Sequence, residues 1–386
     1  MTNRDKRDGI RARMADTGEP FNVARRKVQA AAARPVSKAE LQEIKRAGRC
    51  NLRNRELTVL PPEITQFTNL WGLELDGNRL AALPPEVGRL TNLGTLTLGG
   101  NQLTALPPEI GQLANLGTLT LGSKQGGNQL TALPREIGQL TNLRELGLGG
   151  NQLTALPPEV GRLTNLARLR LDGNQLTALP PEIVQLTHLR ELLLDGNQLT
   201  VLPSEIVRLT SLQDLRLDRN ELTVLPAEIG RLTNLGSLRL DYNQLTGLPA
   251  EIGQLTNLRQ LWLHVNRLTV LPSEIGQLTN LQRLTLGGNS LTVLPPEIGQ
   301  LTNLRELRLS GNQLTVLPPE IGQLTDLQRL GLDGNRLTAL PPEVADLIGG
   351  GLELGLAGNP LQGPIFELYG QGPQALASYL RRLARP

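Results

Sequence analysis

The sequence is poor in aromatic residues. Among 386 residues there are two Trp, three Tyr and three Phe, although 39% of the residues are hydrophobic. A core built from this sequence must therefore be aliphatic, and it must consist mostly of leucine, which excludes most compact enzyme folds. We expect an architecture that repeats one aliphatic layer.

Cysteine and histidine are too few for a metal cage or a disulfide framework. Cys50 is the single cysteine, and the two histidines, His188 and His264, stand far apart. We therefore predict no metal site, no cofactor and no disulfide. The sequence also lacks the G-x-S-x-G, H-E-x-x-H, C-x-x-C and EF-hand motifs. From these absences we predict that the chain is not an enzyme.

Signals for export are absent as well. The first twenty residues are charged and contain no apolar core of the secretory type. No apolar run approaches the roughly 18 residues of a membrane span. No asparagine begins an N-x-Ser/Thr glycosylation site. These features favour a cytoplasmic protein, and a secreted bacterial effector with its export signal in the N-terminal tail is the alternative.

Basic charge is concentrated at the N-terminus. Residues 1–38 carry ten basic and four acidic side chains, whereas the remainder of the chain has a small net negative charge. Residues 1–36 show no sustained periodicity, so we predict a disordered basic tail there. Such a tail could bind nucleic acid or an acidic membrane, but with Phe21 as its single aromatic residue we rank that function below the others.

What the sequence has in abundance is an internal repeat. The segment TNLRELGLGGNQLTALPPEVGRL at 141–163 recurs with small changes along most of the chain. Its asparagine recurs every 23 residues, except for one spacing of 27 and one of 24. The asparagines are Asn78, Asn101, Asn128, Asn151, Asn174, Asn197, Asn220, Asn243, Asn266, Asn289, Asn312, Asn335 and Asn359. Arg55 takes this place one period earlier, which gives fourteen repeats.

The period predicts the structure of each repeat. In L-x-L the two leucines lie on one face of a short strand. Parallel stacking of successive strands joins these leucines into one continuous core. The asparagine then turns inward and bonds backbone groups of neighbouring repeats. Proline and glutamate in the following L-P-x-E favour the start of a short helical or 3₁₀ segment on the outside.

This pattern resembles the leucine-rich repeat. The resemblance covers about residues 50–361, and L-P-x-E-I-G-x-L-T-N-L-x-x-L-x-L-x-x-N is similar to the intracellular 23-residue class. That class includes Ras-group scaffold proteins and the repeat domains of bacterial Roco proteins. The resemblance implies an α/β solenoid, a curved horseshoe with parallel strands on the concave face and short helical or 3₁₀ segments on the convex face. It also implies a protein-interaction scaffold in signal transduction.

The C-terminal segment from Asn359 resembles the junction between the repeats and the GTPase domain of Roco proteins. The chain ends at Pro386, where that GTPase would begin, so the nucleotide chemistry of the family is not carried over. The resemblance suggests an alternative function, the sensor half of a Roco-like GTPase system. Its partner would then be a small GTPase or a Roc-type GTPase.

Both ends of a repeat stack need caps, because a terminal repeat would otherwise expose leucine. Ser37-Lys-Ala-Glu40 is a capping box that predicts an N-terminal capping helix over 37–49. The repeats then occupy 50–361. At the other end we predict a cap over 362–386 with a helix at 373–384, since four apolar residues there share helical spacing. These are Leu376, Tyr379, Leu380 and Leu383.

Variation between repeats indicates a binding surface. We compare two columns of residues on the predicted concave face, one between the strand leucines and one directly after them. In the early repeats both columns consist mostly of threonine and glycine. In the middle repeats they contain arginine, aspartate and large side chains, and two further large residues replace the glycine before the asparagine. The candidate protein-binding residues are Arg170, Leu193, Arg216, Asp218, Arg219, Arg239, Asp241, Tyr242, Trp262 and His264.

Two interpretations of these residues stay open. Trp, Tyr and Arg dominate protein-binding hot spots, and the repeat itself does not require them. In the alternative, each arginine neutralises the aspartate two residues later on its own strand, as Arg216 with Asp218, and the face is only solvated. Trp262 favours the binding interpretation, because a large indole has no evident structural purpose on that face.

Overall fold

The computed structural model describes residues 36–122 and 126–383. The predicted disordered tail lies outside these residues apart from Val36, and the four-residue insertion around Lys124 is described only in part. The chain divides into two compact units, one ending at Gln152 and one beginning at Leu153. We call them the N-terminal unit and the C-terminal unit. The predicted domain bounds stay a prediction.

Each unit is built from three-residue parallel strands that follow one another in chain order. The strands of the N-terminal unit are β1 Arg49–Asn51, β2 Gly72–Glu74, β3 Thr95–Thr97, β4 Thr118–Thr120 and β5 Glu145–Gly147. Those of the C-terminal unit are β6 Arg168–Arg170, β7 Glu191–Leu193, β8 Asp214–Arg216, β9 Ser237–Arg239, β10 Gln260–Trp262, β11 Arg283–Thr285, β12 Glu306–Arg308, β13 Arg329–Gly331 and β14 Glu353–Gly355.

The leucine period sets the register of the strands. The central leucine of each strand lies opposite the central leucine of the next, as Leu238, Leu261 and Leu284 do across β9, β10 and β11. All three are fully buried. Because side chains alternate along a strand, the residues on either side of the central leucine project to the opposite face. We call this second face the strand face.

The L-P-x-E segments form 3₁₀ helices, which confirms the predicted outer segment. In the N-terminal unit they are Ile64–Gln66, Pro85–Arg89, Pro108–Gln112 and Arg135–Gln139. In the C-terminal unit they are Pro158–Arg162, Pro181–Gln185, Ser204–Arg208, Ala227–Arg231, Ala250–Gln254, Ser273–Gln277, Pro296–Gln300 and Pro319–Gln323. Proline precedes or begins these helices with its φ near −65°, and the isoleucine or valine that follows is buried.

The predicted asparagine ladder is present in both units. Asn266 is typical: its Nδ2 donates to Leu240 O in the preceding repeat at 2.9 Å and to Leu263 O at 3.2 Å. Its Oδ1 accepts from Leu245 N at 3.0 Å. Asn266 is only 8% exposed, so all of these bonds form away from water. One amide therefore satisfies three backbone groups and joins adjacent repeats.

A second asparagine ladder runs along the outer edge, and sequence reasoning missed it. The asparagine of a T-N-L segment donates to a backbone carbonyl one repeat earlier, usually that of a threonine, as Asn280 Nδ2 does to Thr256 O at 2.8 Å. His188 occupies the same position in its repeat, where Nδ1 lies 3.0 Å from Thr164 O. His188 is therefore a substitute member of this ladder.

The N-terminal unit begins with helix α1, Lys38–Ala47. Both hydrogen bonds of the Ser37–Glu40 capping box are present, and Gly48 ends the helix in the left-handed conformation. Ile44 of this helix is buried. Arg55, in place of a ladder asparagine, forms an ion pair with Glu40 at 2.6 Å. This pair connects the capping helix to the first repeat.

The C-terminal unit ends in three helices: α2 Val344–Gly349, α3 Ile365–Gln371 and α4 Pro373–Leu383. Sequence reasoning predicted α4 as the cap helix and a short helical segment after the last L-P-x-E, where α2 lies, but it did not predict α3. Leu376 and Leu380 of α4 are buried, but Leu383 is 53% exposed, so the predicted apolar face is one turn shorter than expected. An ion pair joins Arg381 of α4 to Asp346 of α2 at 3.1 Å.

Candidate functional site

Trp262 lies on the strand face of the C-terminal unit, where it is half-buried. The guanidinium carbons of Arg239 on β9 and Arg283 on β11 lie 5.0 Å and 5.1 Å from the centre of its ring. Its indole nitrogen also lies 3.4 Å from Gln260 Oε1. Cation–π contacts from both neighbouring strands hold the indole in place. Trp262 therefore has packing partners on this face, which the expectation of no structural purpose did not include.

Three large residues beside Trp262 occupy backbone conformations that favour glycine. Arg219, Tyr242 and Val265 have φ angles of 57°, 57° and 53°. At this position most other repeats have glycine, also with positive φ: Gly77, Gly100, Gly150, Gly173, Gly196, Gly288, Gly311, Gly334 and Gly358. The left-handed conformation costs a residue with a Cβ atom about 1–2 kcal/mol. We call Arg219, Tyr242 and Val265 the strained column.

The side chains of the strained column are exposed and contact one another. Tyr242 is 46% exposed and Val265 is 37% exposed. The Arg219 guanidinium lies 5.4 Å from the centre of the Tyr242 ring. The His264 ring packs edge-to-face on Tyr242 at 5.5 Å. Sequence reasoning found Arg219 and Tyr242 but missed Val265, although the same missing glycine marks all three.

The aspartates of the middle repeats form a third ladder, to backbone nitrogens. Asp195 Oδ1 accepts from Asp218 N at 3.3 Å, and Asp218 Oδ1 accepts from Asp241 N at 2.9 Å. Asp241 Oδ1 in turn accepts from His264 N at 2.7 Å. Asp218 and Asp241, predicted as binding residues, thus also have a structural function that the sequence did not reveal.

Stacking carboxylates at the strand spacing has an electrostatic consequence. Burial raises the pKa of Asp218 to about 6; Arg239 opposes this shift, while Asp195 and Asp241 add to it. Burial also raises the pKa of Asp241, against the hydrogen bond from His264 N. A low dielectric and like charges both disfavour the ionised form of these groups.

The arginines form hydrogen bonds with other aspartates than those that the solvated-face interpretation predicts. Arg216 bonds Asp214 on its own strand, Nε to Oδ2 at 2.9 Å, and not Asp218. Arg239 bonds Asp218 of the preceding strand at 2.9 Å, and not Asp241. At these two positions the arginine therefore makes its hydrogen bond to a different aspartate from the one two residues later. The charges of Arg216 and Asp218, and of Arg239 and Asp241, still interact electrostatically.

The two remaining predicted residues are less accessible than expected. Leu193 is only 8% exposed, so it offers little surface to a partner. Arg170 is half-buried, and Asp172, two residues further along its repeat, is 3% exposed. The exposed part of the predicted surface is therefore centred on Arg219, Tyr242 and Trp262.

A cluster of three arginines around one glutamate was missed. Glu306 on β12 is 2% exposed and forms ion pairs with Arg283 at 2.7 Å, Arg308 at 2.5 Å and Arg329 at 2.8 Å. Burial acts to raise the pKa of Glu306, but hydrogen bonds from the three arginines lower it to about 2. We call these four residues the arginine cluster. Arg283 also contacts Trp262, so the cluster adjoins the candidate site.

The sequence contains a signal for this cluster. The residue before the central leucine of each strand forms another column of the strand face, in which β11, β12 and β13 contribute Arg283, Glu306 and Arg329. Opposite charges on adjacent strands at the same register predict ion pairs. Arg308, two residues after Glu306, completes the set on the same face.

Features of other classes of site are absent from the described residues. Within 36–122 and 126–383, no three His, Cys, Asp or Glu side chains are grouped to hold a metal ion. In the same ranges no helix combines the length and apolarity that a membrane crossing needs. Cys50 is fully buried, and burial raises the pKa of its thiol to about 12. Its thiol is therefore an inert part of the core.

Comparisons with known proteins define the family. A model described as a leucine-rich repeat region matches residues 125–220 and 180–267, and one described as a leucine rich repeat matches 256–314 and 279–337. A leucine-rich repeat protein of Leptospira interrogans is 47% identical with a TM-score of 0.82, over 87% of this chain and 84% of that one. The chain belongs to the leucine-rich repeat family, whose fold is generally a protein-interaction module.

Two further solved structures are similar over a large part of the chain. The plant peptide hormone receptor RGFR1 in complex with RGF2 is 32% identical with a TM-score of 0.64. The match covers 80% of this chain and 55% of the receptor. An internalin of Listeria monocytogenes, 24% identical over 96% of this chain and 92% of its own, has a TM-score of 0.68 and shows the fold alone. None of the curated proteins compared with the chain matches it.

Proposed function

We propose that the chain is a non-enzymatic scaffold that binds a segment of a protein partner on the strand face of its C-terminal unit. Trp262 and the strained column, Arg219, Tyr242 and Val265, form the contact surface. The inner asparagine ladder and the aspartate ladder fix the backbone beside the strand face before binding, so association would order few residues.

The strained column is the observation that carries this proposal. Three successive repeats accept a left-handed backbone at Arg219, Tyr242 and Val265, where most other repeats have glycine. Burial does not offset this strain, because Tyr242 and Val265 are exposed. Strain that the fold does not require is concentrated at functional sites. Contacts with a partner would supply the missing stabilisation.

Similar proteins support the class of partner. The plant receptor RGFR1 was solved in complex with RGF2, and a second receptor, PEPR1, was solved with AtPEP1 at 25% identity. A peptide-like segment is therefore a reasonable ligand for a strand face of this kind. The GTPase partner and the cytoplasmic location stay predictions.

The test is a selection followed by binding measurements. A random peptide library would be selected on the full chain, and each selected peptide measured against Trp262→Ala. Peptide binding is followed by tryptophan fluorescence in a Trp71→Phe variant. The chain has two tryptophans, so Trp262 is the single one that remains in this variant. We expect Trp262→Ala to weaken binding by about tenfold or more, as truncation of a hot-spot residue does.

Trp71→Ala is the matched control. Trp71 is 50% exposed, lies in the N-terminal unit and also has a cation–π partner, Arg49 at 5.6 Å. Its loss should leave peptide binding unchanged. Selected peptides that bind Trp262→Ala as tightly as the unmodified chain, or a selection without any binder, would contradict the proposed function.

A further inference from the structure

The arginine cluster contains more hydrogen-bond donors than its glutamate can use. Arg283 and Arg308 each donate Nε to Glu306, and Arg329 donates Nη2. A guanidinium group has five N–H donors. Among the described residues, no other hydrogen bond from these three side chains is found. Most of their donors are therefore open to a ligand.

The three arginines are also accessible. Their side chains are 36%, 61% and 44% exposed for Arg283, Arg308 and Arg329, whereas the Glu306 side chain is 3% exposed. Three positive charges surround one negative charge, so the cluster has an excess of positive charge at the surface. Glu353 lies opposite Arg329 in register, but no ion pair between them is found in the described part of the chain. Glu353 does act electrostatically on Arg329. The buried Glu306 carboxylate holds one N–H donor of each guanidinium, and the other donors of the three arginines have no hydrogen-bond partner among the described residues.

An unsatisfied hydroxyl lies in the same place. Thr285 of β11 is 3% exposed and lies between Trp262 and Arg308 in the strand register. Its Oγ1 has no hydrogen-bond partner among the described residues. Buried polar groups are nearly always paired, so this group marks a position where an interaction is missing. It is the second feature of this surface that the fold alone leaves incomplete.

We propose that the arginine cluster binds an acidic peptide segment of the partner, whose Asp or Glu carboxylates accept hydrogen bonds from Arg308 and Arg329 beside Trp262. This inference rests on the proposed function and names the chemistry of the ligand. Arginine donors suit carboxylates because two parallel N–H groups match two carboxylate oxygens. Trp262, stacked against Arg283, supplies an adjoining apolar contact.

The size and surroundings of the cluster favour a short acidic segment over a polymeric anion. The cluster spans three strands, about 10 Å at the usual strand spacing, which corresponds to three or four residues of extended chain. Beyond Trp262, the middle strands of the same face carry Glu191, Asp195, Asp214, Asp218 and Asp241. Arginines of the same strands balance these carboxylates, so the excess of positive charge that a long polymeric anion would need does not continue along the face.

The experiment compares selections. The random peptide library would be selected in parallel on the unmodified chain and on Arg308→Gln/Arg329→Gln, and selected peptides would be remade with each Asp or Glu replaced by Asn or Gln. We expect enrichment of Asp and Glu on the unmodified chain only. We also expect about a tenfold loss of affinity from either the arginine or the peptide substitution, and weaker binding at high salt.

Two controls keep the result clear. Arg168→Gln removes an arginine that is also on the strand face and paired with a glutamate, Glu191 at 3.1 Å, and it should leave binding unchanged. Arg308→Gln alone serves if the double variant does not fold, because Arg308 is the most exposed of the three. Thermal unfolding of each variant shows whether it is folded.

The outcomes separate the two proposals. Peptides that need Trp262 but show no acidic enrichment and no loss with Arg308→Gln would overturn the acidic-ligand inference and leave the proposed function standing. An absence of peptides that need Trp262 would overturn the proposed function itself. Selected peptides enriched in lysine or arginine, bound by the middle carboxylates, would also overturn the inference.

Discussion

At the scale of single residues, the strained column lowers the stability of the fold and presents side chains for binding. Arg219, Tyr242 and Val265 follow one another by one repeat, so their side chains stack along the edge of the strand face. The backbone conformation there would be accommodated at lower cost by glycine. The fold thus accepts a local cost at three positions whose side chains stay exposed. Such a cost is expected where a protein presents side chains to a partner.

The first prediction concerns Val265. A β-branched residue with φ of 53° is the most strained of the three, so Val265→Gly should raise the free energy of unfolding by about 0.5–1 kcal/mol. The gain is smaller than the full strain because glycine loses more entropy on folding. Urea unfolding measures it, and peptide binding should weaken in the same variant.

Val293→Gly is the control for this prediction. Val293 is also an exposed valine of the C-terminal unit, but its φ is not positive. Glycine should therefore destabilise the protein there. If both substitutions changed stability in the same direction, strain at Val265 would not be the cause.

Sequence reasoning reached part of this residue-level detail. The replacement of glycine is visible in the sequence at Arg219 and Tyr242, because an alignment of the repeats shows glycine at this position in most of them. The packing of Arg239 and Arg283 on Trp262 was not predictable in the same way. It depends on how long side chains from three strands share one surface, and the period of the repeat places only their Cβ atoms.

At the scale of structural elements, the ladders of hydrogen bonds distinguish an inner from an outer edge. The inner asparagines are buried, except for the half-buried Asn359, and Asn266 is typical in making three backbone hydrogen bonds. The outer asparagines are exposed and make one, as Asn280 does. The two ladders have the same chemistry, and burial decides how much each contributes.

The second prediction compares these two asparagines. Asn266→Ala leaves three buried backbone groups without partners and should cost about 3–4 kcal/mol of unfolding free energy. Asn280→Ala loses one exposed bond and should cost about 1 kcal/mol or less. Chemical denaturation of the two variants measures the difference. Equal losses would mean that the inner ladder is not the main connection between repeats.

The inner ladder was predictable and the outer ladder was not, for a physical reason. An asparagine at a fixed place after a strand, surrounded by leucines, must be buried and must find partners. The asparagine of T-N-L lies in a polar turn where water could satisfy it equally well. His188 replaces the asparagine of one repeat, and its ring nitrogen takes the place of the side-chain amide in the outer ladder.

At the scale of the whole molecule, two carboxylates in the C-terminal unit respond to pH in opposite directions. The pKa of Asp218 is raised to about 6 in the folded chain, and that of Glu306 is lowered to about 2. A raised carboxylate pKa means that folding binds a proton, so stability falls as pH rises from about 4 to about 6. A lowered pKa means that stability falls as pH drops from about 4.5 towards 2.

The third prediction is therefore a stability maximum at about pH 4–5, with a loss of about 1–3 kcal/mol on moving to pH 7. Chemical denaturation across this pH range measures it. Asp218→Asn should reduce the decline between about pH 4 and 6, to which Asp241 also contributes, and Glu306→Gln should reduce the decline below about pH 4.5, to which Glu40 also contributes. A decline above pH 5 that persisted in Asp218→Asn would assign the effect to other groups.

The repeat also has a consequence for how such a chain can change in length. The inner asparagine of a repeat bonds the backbone of its own and of neighbouring repeats with the same geometry from repeat to repeat, so an in-frame duplication of one repeat in the gene would preserve this ladder. The distance from Trp262 to the arginine cluster would change only if the new repeat fell between them. Evolution could thus lengthen the protein in two ways. A repeat added elsewhere would keep the distance between Trp262 and the arginine cluster, and a repeat added between them would increase it.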